Sequence, residues 1–352
     1  MVKYSNIRAN FLIKGLRWRT SCPLLIITAV FISLTSFYYP KALKRYQLSG
    51  FAQGTTWQLN YYASDSIIVK SSIDSILFEI DNSMSLYKPN SLITQFNKSV
   101  NGLKIDSHFK KVMEKSFSIN KETNGVFDVT VKPLVKAWGF GPEASNKTPA
   151  TAEIINALRC VGSGKLKLEG DSLIKFKPCV EVDLNGIAQG YTVDVLSEFL
   201  EMYGINNYLV ELGGEIRAKG LKTDGSRFKI GIESPEENEN SSMKKIITVN
   251  DGAITTSGNY RQYKTQGNKK ISHLINSQTG LPIDNEMISV TVWARDAITA
   301  DGFDNVFMNF GVNKALSFLE NRTDMAAYFI YLKEDRSIAD TASAGFYKFF
   351  NN

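Results

Sequence analysis

The chain has 352 residues, of which 43% are hydrophobic and 22% are charged. This composition suits one large buried core or two modest ones, and it excludes a disordered or fibrous protein. The net charge of +6 is mild, and part of it lies in residues 1–45, which contain no Asp or Glu. The remainder is nearly neutral, so the charge gives no evidence for nucleic-acid binding.

The N-terminal region has the pattern of a signal anchor or signal peptide. Basic side chains precede an uncharged apolar run at 22–40 that ends in aromatic residues. No small-x-small sequence near the run makes a convincing cleavage site, and Cys22 precedes the run, where a lipidated cysteine would be poorly placed. The predicted organisation is a cytoplasmic basic segment at 1–21, the anchor at 22–40, a linker at 41–49 and one exported domain at 50–352.

Hydrophobic periodicity predicts the elements of the first half of that domain. In chain order they are a strand within 50–62, a helix within 64–82, a polar loop at 83–97, a helix around 109–117, a core-packed loop at 125–141, a helix at 151–158, and a hairpin of strands 165–168 and 173–176.

Residues 181–194, EVDLNGIAQGYTVD, predict the end of a strand, a tight Asn185-Gly186 turn and a helix from about Ile187. Free N–H groups and the dipole at a helix start favour an anion, and Gly186 and Gly190 would allow close approach. The glycine spacing matches neither a dinucleotide fingerprint nor a P-loop. From this stretch alone, a plain turn and an anion site remain equally open.

The second half is richer in strands. In chain order the predictions are strands at 208–212, 215–220 and 228–233, a strand pair at 246–249 and 253–256, a strand at 288–293, helices at 300–310 and 312–319, and strands at 326–332 and 346–350. Helices and strands do not alternate strictly. We therefore expect an α+β fold with largely antiparallel sheets and packed helices, preceded by the membrane anchor.

Eight stretches resemble, in family order, motifs of one enzyme family. They are Gly54-Thr55-Thr56, MSLYKPNSLITQFN (84–97), GVFDVTVKPLVKAWGFG (125–141), VDLNGIAQGYTVD (182–194), YLVELGGEIRAKG (208–220), AITTSGNYRQY (253–263), SHLINSQTGLP (272–282) and TADGFDNVFMNFG (299–311). Together they resemble the ApbE family of FAD:protein FMN transferases, which is T-fold-like, over about residues 50–345.

The resemblance implies an activity and its partners. FMN would pass from FAD, the substrate, to a Ser or Thr hydroxyl of an exported or membrane flavoprotein, with Mg²⁺ as cofactor and AMP as leaving group. With the anchor, it implies a protein of the cell inner membrane whose catalytic domain faces the periplasm and which binds no nucleic acid. Two alternatives remain open: an FAD pyrophosphatase giving FMN and AMP, and a non-catalytic exported flavin-binding protein.

The resemblance also implies site residues. The metal ligands would be the Gly186 carbonyl, the Asp301 carboxylate and the Asn305 side chain, hard oxygens of the kind Mg²⁺ prefers. The proton acceptor for the incoming hydroxyl would be His273, with Asp301 as the alternative. The flavin contacts would be Gln53, Tyr87, Val126, Phe127, Asp128, Asp183, Gln189 and Ile275, among which Tyr87 and Phe127 could stack on a ring system.

Four positions depart from the family's usual residues. Asn305 replaces a Thr one helical turn after Asp301, and an Asn carbonyl can still bind Mg²⁺. Gln53 replaces a Met, and Gln189 replaces a Lys whose positive charge other cations or the metal must then supply. Asn276 replaces an Asp and removes one candidate acid.

Cys160 and Cys179 suggest a disulfide on grounds independent of the resemblance. A hairpin around Gly170 places residue 160 opposite about residue 180, so the two cysteines meet at its open end. An exported domain lies in an oxidising compartment, which permits the bond. Two small buried hydrophobic residues are the alternative.

Overall fold

An antiparallel sheet of eight strands forms the centre of the structure, a computed structural model that describes residues 42–145, 148–233, 243–259, 263–266 and 269–350. The chain from Leu43 onward forms one compact unit. The predicted basic segment and anchor at 1–40 lie outside the described residues. Of the helices that are described, none has the length and apolar character needed to cross a bilayer.

The elements have the following bounds. The strands are β1 (Lys44–Ala52), β2 (Thr55–Ala63), β3 (Gly102–Lys104), β4 (Leu166–Glu169), β5 (Ser172–Lys175), β6 (Tyr208–Leu212), β7 (Glu215–Lys219), β8 (Phe228–Glu233), β9 (Met243–Val249), β10 (Asp251–Gly258), β11 (Tyr263–Gln266), β12 (Lys269–Ser272), β13 (Met287–Ala294), β14 (Met325–Leu332) and β15 (Ile338–Ala342). The helices are α1 (Lys70–Met84), α2 (Leu92–Lys98), α3 (Ser107–Glu122), α4 (Lys132–Ala137), α5 (Thr151–Leu158), α6 (Ala188–Met202), α7 (Ala297–Phe310) and α8 (Val312–Leu319).

The central sheet has the order β1-β2-β6-β7-β10-β13-β14-β15. Its inner strands are buried on both faces, as β14 shows. Ala327 and Phe329 point into the main core with α7 and α8, whereas Tyr328 and Ile330 point into a second core formed with β8, β9 and the C-terminal 3-10 turn. Because side chains alternate along a strand, an apolar run such as MAAYFIYL can serve both cores at once. The predicted α+β class with antiparallel sheets is confirmed.

The first hairpin begins earlier than the predicted domain boundary at residue 50. Strand β1 pairs with β2 along its whole length, from Lys44 opposite Ala63 to Ala52 opposite Thr55. The two loop residues, Gln53 and Gly54, both have positive φ, as the tight turns that match strand twist require. Most of the predicted linker at 41–49 is therefore an edge strand of the sheet.

Several predicted elements differ from the structure, among them the core-packed loop at 125–141, which contains α4. The polar loop at 83–97 contains α2, which begins after Ser91, whose hydroxyl accepts the Thr94 N–H. The proposed strand pair at 246–249 and 253–256 is divided between two sheets, because β9 pairs with β8 and β10 pairs with β7 and β13. The terminal strand at 346–350 is a 3-10 turn, Ala344–Phe349, packed by its aromatic rings, and the last strand is β15.

Cys160 and Cys179 form a disulfide, with Cα atoms 5.4 Å apart. The bond closes the base of the β4–β5 hairpin, as the symmetric pairing about its turn predicts. Cys179 is exposed and Cys160 is partly so, which overturns the alternative of two buried hydrophobic residues.

Replacing both bridge cysteines by serine should lower the free energy of unfolding by about 3 kcal/mol, because a loop of about 20 residues regains its freedom in the unfolded chain. Urea denaturation of the double variant and of the oxidised chain measures the difference. Thiol titration of the unfolded, unreduced full chain should detect Cys22 alone. Detection of Cys160 and Cys179 as free thiols would contradict the bridge.

Candidate active site

A cavity of about 820 Å³ opens beside α7, between the β1–β2 turn, the end of α1, the loops at 126–141 and 273–283, and the segment that leads into α6. Every residue named by the sequence as a catalytic, flavin or metal candidate lines it. These residues are Gln53, Tyr87, Val126, Phe127, Asp128, Asp183, Gly186, Gln189, His273, Ile275, Asp301 and Asn305. Residues more than 250 positions apart in sequence thus converge on one site, although their individual roles stay predictions.

The segment before α6 is extended but is not a strand, contrary to the sequence prediction. Asn97 Oδ1 accepts the Val182 N–H, Asn97 Nδ2 donates to the Val182 carbonyl, and the Asp183 N–H donates to the Val129 carbonyl. The Asp183 carboxylate then accepts the Asn185 N–H, which sets the turn at Gly186. Desolvation raises the pKa of Asp183 despite this bond.

The N-terminus of α6 receives an anion from within the protein. Asp301 Oδ2 accepts the Gly190 N–H at 2.8 Å, so the helix start holds a carboxylate of α7. Position 190 requires glycine because α6 and α7 are in contact there. A Cβ at this position would lie 2.4 Å from the Ala297 carbonyl oxygen. The expectation that Gly190 admits a phosphate is therefore wrong, and its glycine serves helix packing.

Two carboxylates on α7 lie buried against the cavity. Asp301 is 4% exposed and Asp304 is 2% exposed. Burial raises the pKa of Asp301 to about 7, an effect that the Gly190 N–H opposes and the nearby Asp194 increases. Burial, with added repulsion from Asp301 and Glu215, also raises the pKa of Asp304. This part of the site therefore favours a positive charge.

Asn305 lies next to these carboxylates and reaches the turn before α6. Its Nδ2 donates to the Gly186 carbonyl at 3.3 Å, to the Asp301 carbonyl at 3.1 Å and to Asp304 Oδ1 at 2.9 Å. Position 305 thus contacts Gly186, as a shared metal site requires. The amide offers one oxygen ligand where the family's usual Thr would offer a hydroxyl.

Replacing Asn305 by threonine should keep or raise the rate of FMN transfer, because a hydroxyl is a smaller oxygen ligand at the same turn of α7. The check is the transfer rate at saturating FAD over a Mg²⁺ titration. Complete loss of activity with an intact fold would show that this site is built differently from the family pattern.

Asp128 organises the loop that lines the cavity. Its Oδ1 accepts from the Thr130 N–H, the Thr130 hydroxyl and the Ser163 hydroxyl, and its Oδ2 accepts from the Ser163 N–H and Asn120 Nδ2. With so many acceptor positions used, the carboxylate fixes the backbone at 126–130. A flavin bound there would meet the backbone, Val126 and Phe127.

The two aromatic candidates have different surroundings. Tyr87 is 68% exposed at the cavity mouth, so its ring is available to stack on a ligand. Phe127 is 8% exposed and belongs to the main core, which limits it to an edge contact. Gln53 lines the cavity while its Nε2 donates to the Thr192 hydroxyl at 3.0 Å, which holds the β1–β2 turn against α6.

His273 follows β12 and lines the cavity together with Ile275. The loop after it is ordered by Asn276, whose Oδ1 accepts the N–H groups of Gln278 and Thr279 and whose Nδ2 donates to Asn309. Asn276 is not among the cavity-lining residues. Residue 276 orders a turn outside the cavity lining, so the departure from Asp there removes no acid from that lining.

Charge within the cavity is unbalanced. Its described lining includes the carboxylates of Asp81, Asp128, Asp183, Glu215, Asp301 and Asp304. The only lysine or arginine in that described lining is Lys88, which is bonded to Asn82 and lies 3.5 Å from Asp81. Sequence reasoning did not assign Lys88, Glu215 or Asp304 to the site, although all three fall within its motifs.

These residues fit a divalent cation. The Gly186 carbonyl and the Asp301 and Asp304 carboxylates line the cavity with hard oxygens of the kind that Mg²⁺ prefers. The Asn305 amide, which here donates its Nδ2 to Gly186 and Asp304, would add its Oδ1 if it turned over. The excess of carboxylates in the lining attracts a cation to this place. Groups of three or more His, Cys, Asp or Glu in metal-binding geometry do not occur among the described residues, so backbone and amide oxygens must complete such a site.

Comparison with known proteins agrees with the motif order. The model of the ApbE family matches residues 53–329. Relatives named FAD:protein FMN transferase include one from Vibrio cholerae, 37% identical over 88% of this chain and 94% of its own, and one from Haemophilus influenzae, 35% identical over 92% and 96%.

Solved structures agree as well. The flavin transferase ApbE from Vibrio cholerae superposes with a TM-score of 0.79 at 36% identity, covering 88% of this chain and all of that one. The apo flavinyl transferase ApbE from Pseudomonas stutzeri gives a TM-score of 0.79 at 30% identity, over 88% and 97%. The chain belongs to the ApbE family.

Proposed function

We propose that this protein transfers FMN from FAD to a Ser or Thr hydroxyl of an exported or membrane flavoprotein, in a Mg²⁺-dependent reaction that releases AMP. The observation that carries the proposal is the convergence of all the family's site positions on one cavity of about 820 Å³, a volume within the range of cofactor-sized sites. The names of the relatives support the same reaction.

The chemistry divides among few residues. The acceptor hydroxyl oxygen attacks the phosphorus of the FMN half, its bond to that phosphorus forms, and the bond to the oxygen of the AMP half breaks. An imidazole nitrogen of His273 takes the hydroxyl proton. Gly186, Asp301 and Asn305 would hold Mg²⁺, which when bound neutralises charge on the pyrophosphate oxygens. Tyr87 and the loop at 126–128 would position the flavin.

The cavity's own charges support the need for a cation. A pyrophosphate brings negative charge into a described lining in which carboxylates far outnumber lysines. Without a metal, FAD would have to bind against this repulsion. Gln189 is neutral, so it does not supply the positive charge of the lysine that is usual at this position in the family. We also propose that the anchor at 22–40 holds the domain on the periplasmic side of the inner membrane; the Cys160–Cys179 bond supports an oxidising compartment.

The deciding experiment incubates the full chain, in detergent, with FAD and Mg²⁺, with and without an acceptor flavoprotein. We expect AMP release that depends on the acceptor and flavin covalently attached to it. AMP release to the same extent without acceptor would instead indicate a pyrophosphatase. Bound FAD that is never cleaved would indicate a binding protein and refute the proposed reaction.

A further inference from the structure

Asp304 is a buried carboxylate whose role the family's site positions do not explain. It is 2% exposed, lines the cavity and lies close enough to Asp301 for their charges to repel. Neither carboxylate forms an ion pair with a lysine or arginine among the described residues. Each carboxylate accepts a hydrogen bond, Asp301 from the Gly190 N–H and Asp304 from Asn305 Nδ2, but neither bond brings a positive charge. Two adjacent buried carboxylates that lack a compensating charge favour a cation from outside the protein.

The hydrogen bonds of Asn305 point to the same place. Its Nδ2 lies within 3.3 Å of three oxygens, the backbone carbonyls of Gly186 and Asp301 and the carboxylate of Asp304. Its Oδ1 lies 3.5 Å from the Ser257 hydroxyl, a group that can donate or accept. If the amide turns over, Nδ2 and Oδ1 of Asn305 exchange places. The Ser257 hydroxyl can then accept from Nδ2, whereas Oδ1 faces the three oxygens. That arrangement is repulsive by itself and becomes favourable when a cation lies among them.

We propose that Asp304 is a further cation-binding residue of this site, which adds a second carboxylate beside Asp301 and makes the orientation of the Asn305 amide depend on the bound cation. The inference rests on the Mg²⁺ dependence in the proposed function. It extends that function because it assigns to Asp304 and Asn305 jointly what the family's usual Thr would do alone. Asn305 is a neutral ligand, and the negative charge of Asp304 compensates for its weaker binding of Mg²⁺.

The test is the affinity of the full chain for Mg²⁺, measured by calorimetry without FAD, for the unaltered chain and for Asp304→Asn. Asparagine keeps the size of the side chain and an oxygen that can accept from Asn305, and it removes the charge. We expect the Kd for Mg²⁺ to rise about tenfold or more, as affinity follows the number of charged ligands. Glu198→Gln, which removes an exposed charge from α6 outside the cavity, should leave the Kd unchanged.

Thermal unfolding separates this role from a structural one. In EDTA, Asp304→Asn should melt at the same temperature as the unaltered chain or higher, because a buried amide costs less than a buried carboxylate. The rise in melting temperature on adding Mg²⁺ should shrink in the variant. Asp304→Ser serves as a second variant if the first does not fold.

A folded variant whose Kd for Mg²⁺ stays within about twofold of the unaltered chain would overturn the inference. That result would leave the proposed function standing, since transfer of FMN by the unaltered chain is measured separately. If the unaltered chain does not transfer FMN but Asp304→Asn still weakens Mg²⁺ binding, the proposed function is refuted and the role of Asp304 in binding the cation stands.

Discussion

Replacement of Asp301 by alanine is expected to reduce Mg²⁺-dependent FMN transfer by about 10³-fold or more. This carboxylate is the anionic ligand among the predicted metal contacts, and the charge stabilisation that a metal supplies is worth several kcal/mol. The measurement is covalent flavin formed on the acceptor over a Mg²⁺ titration. Near-normal transfer by the variant would rule out the metal assignment.

The same substitution removes the acceptor for the Gly190 N–H, so a second variant is needed to separate the two effects. Asp301→Asn keeps an oxygen for that N–H and loses the charge. If the carboxylate acts through the metal, both variants lose transfer although Asp301→Asn melts close to the unaltered chain. Recovery of activity in Asp301→Asn would show that the bond between α6 and α7, and not the charge, is what matters.

Replacement of His273 by alanine is expected to slow covalent transfer 10²–10⁴-fold while FAD affinity changes little, because general base catalysis acts on the rate and hardly on the ground state. Turnover and FAD affinity should be measured on one preparation. The chain's other histidine gives a matched control: His108 is bonded to the Tyr191 hydroxyl and does not line the cavity. His108→Ala should keep the transfer rate, and an unchanged rate in His273→Ala would transfer the base role to Asp301.

Much of the fold follows from periodicity because each long element buries a consistent face. The helix at 312–319 and the strands at 208–212 and 228–233 have the predicted bounds. Some of the errors arise where partners distant in sequence decide the outcome. Residues 182–183 are held by the Asn97 side chain and the Val129 carbonyl and not by a neighbouring strand. The separation of β9 from β10 depends on β8 and β13.

The site was more predictable than the connections around it. Motif order named residues that do meet in one cavity, but it could not tell a contact with ligand from support of the protein. Asp128 is the clearest case, because its carboxylate is bonded to Thr130, Ser163 and Asn120. The sequence shows that Asp304 is next to Asn305. Only the structure shows that its carboxylate is buried, and this burial is the reason for assigning it a role.

The close contact at Gly190 bears on how a ligand is received. Since no side chain fits between α6 and α7 there, the backbones that carry Gly186, Asp301 and Asn305 have little room to shift, although the Asn305 amide itself can turn. Such a wall is preorganised, so a ligand that matches it loses little free energy in ordering it. Adaptation to acceptors of different shape would then fall to the exposed part of the lining, where Tyr87 lies, and sequence changes that alter acceptor choice should concentrate in that loop.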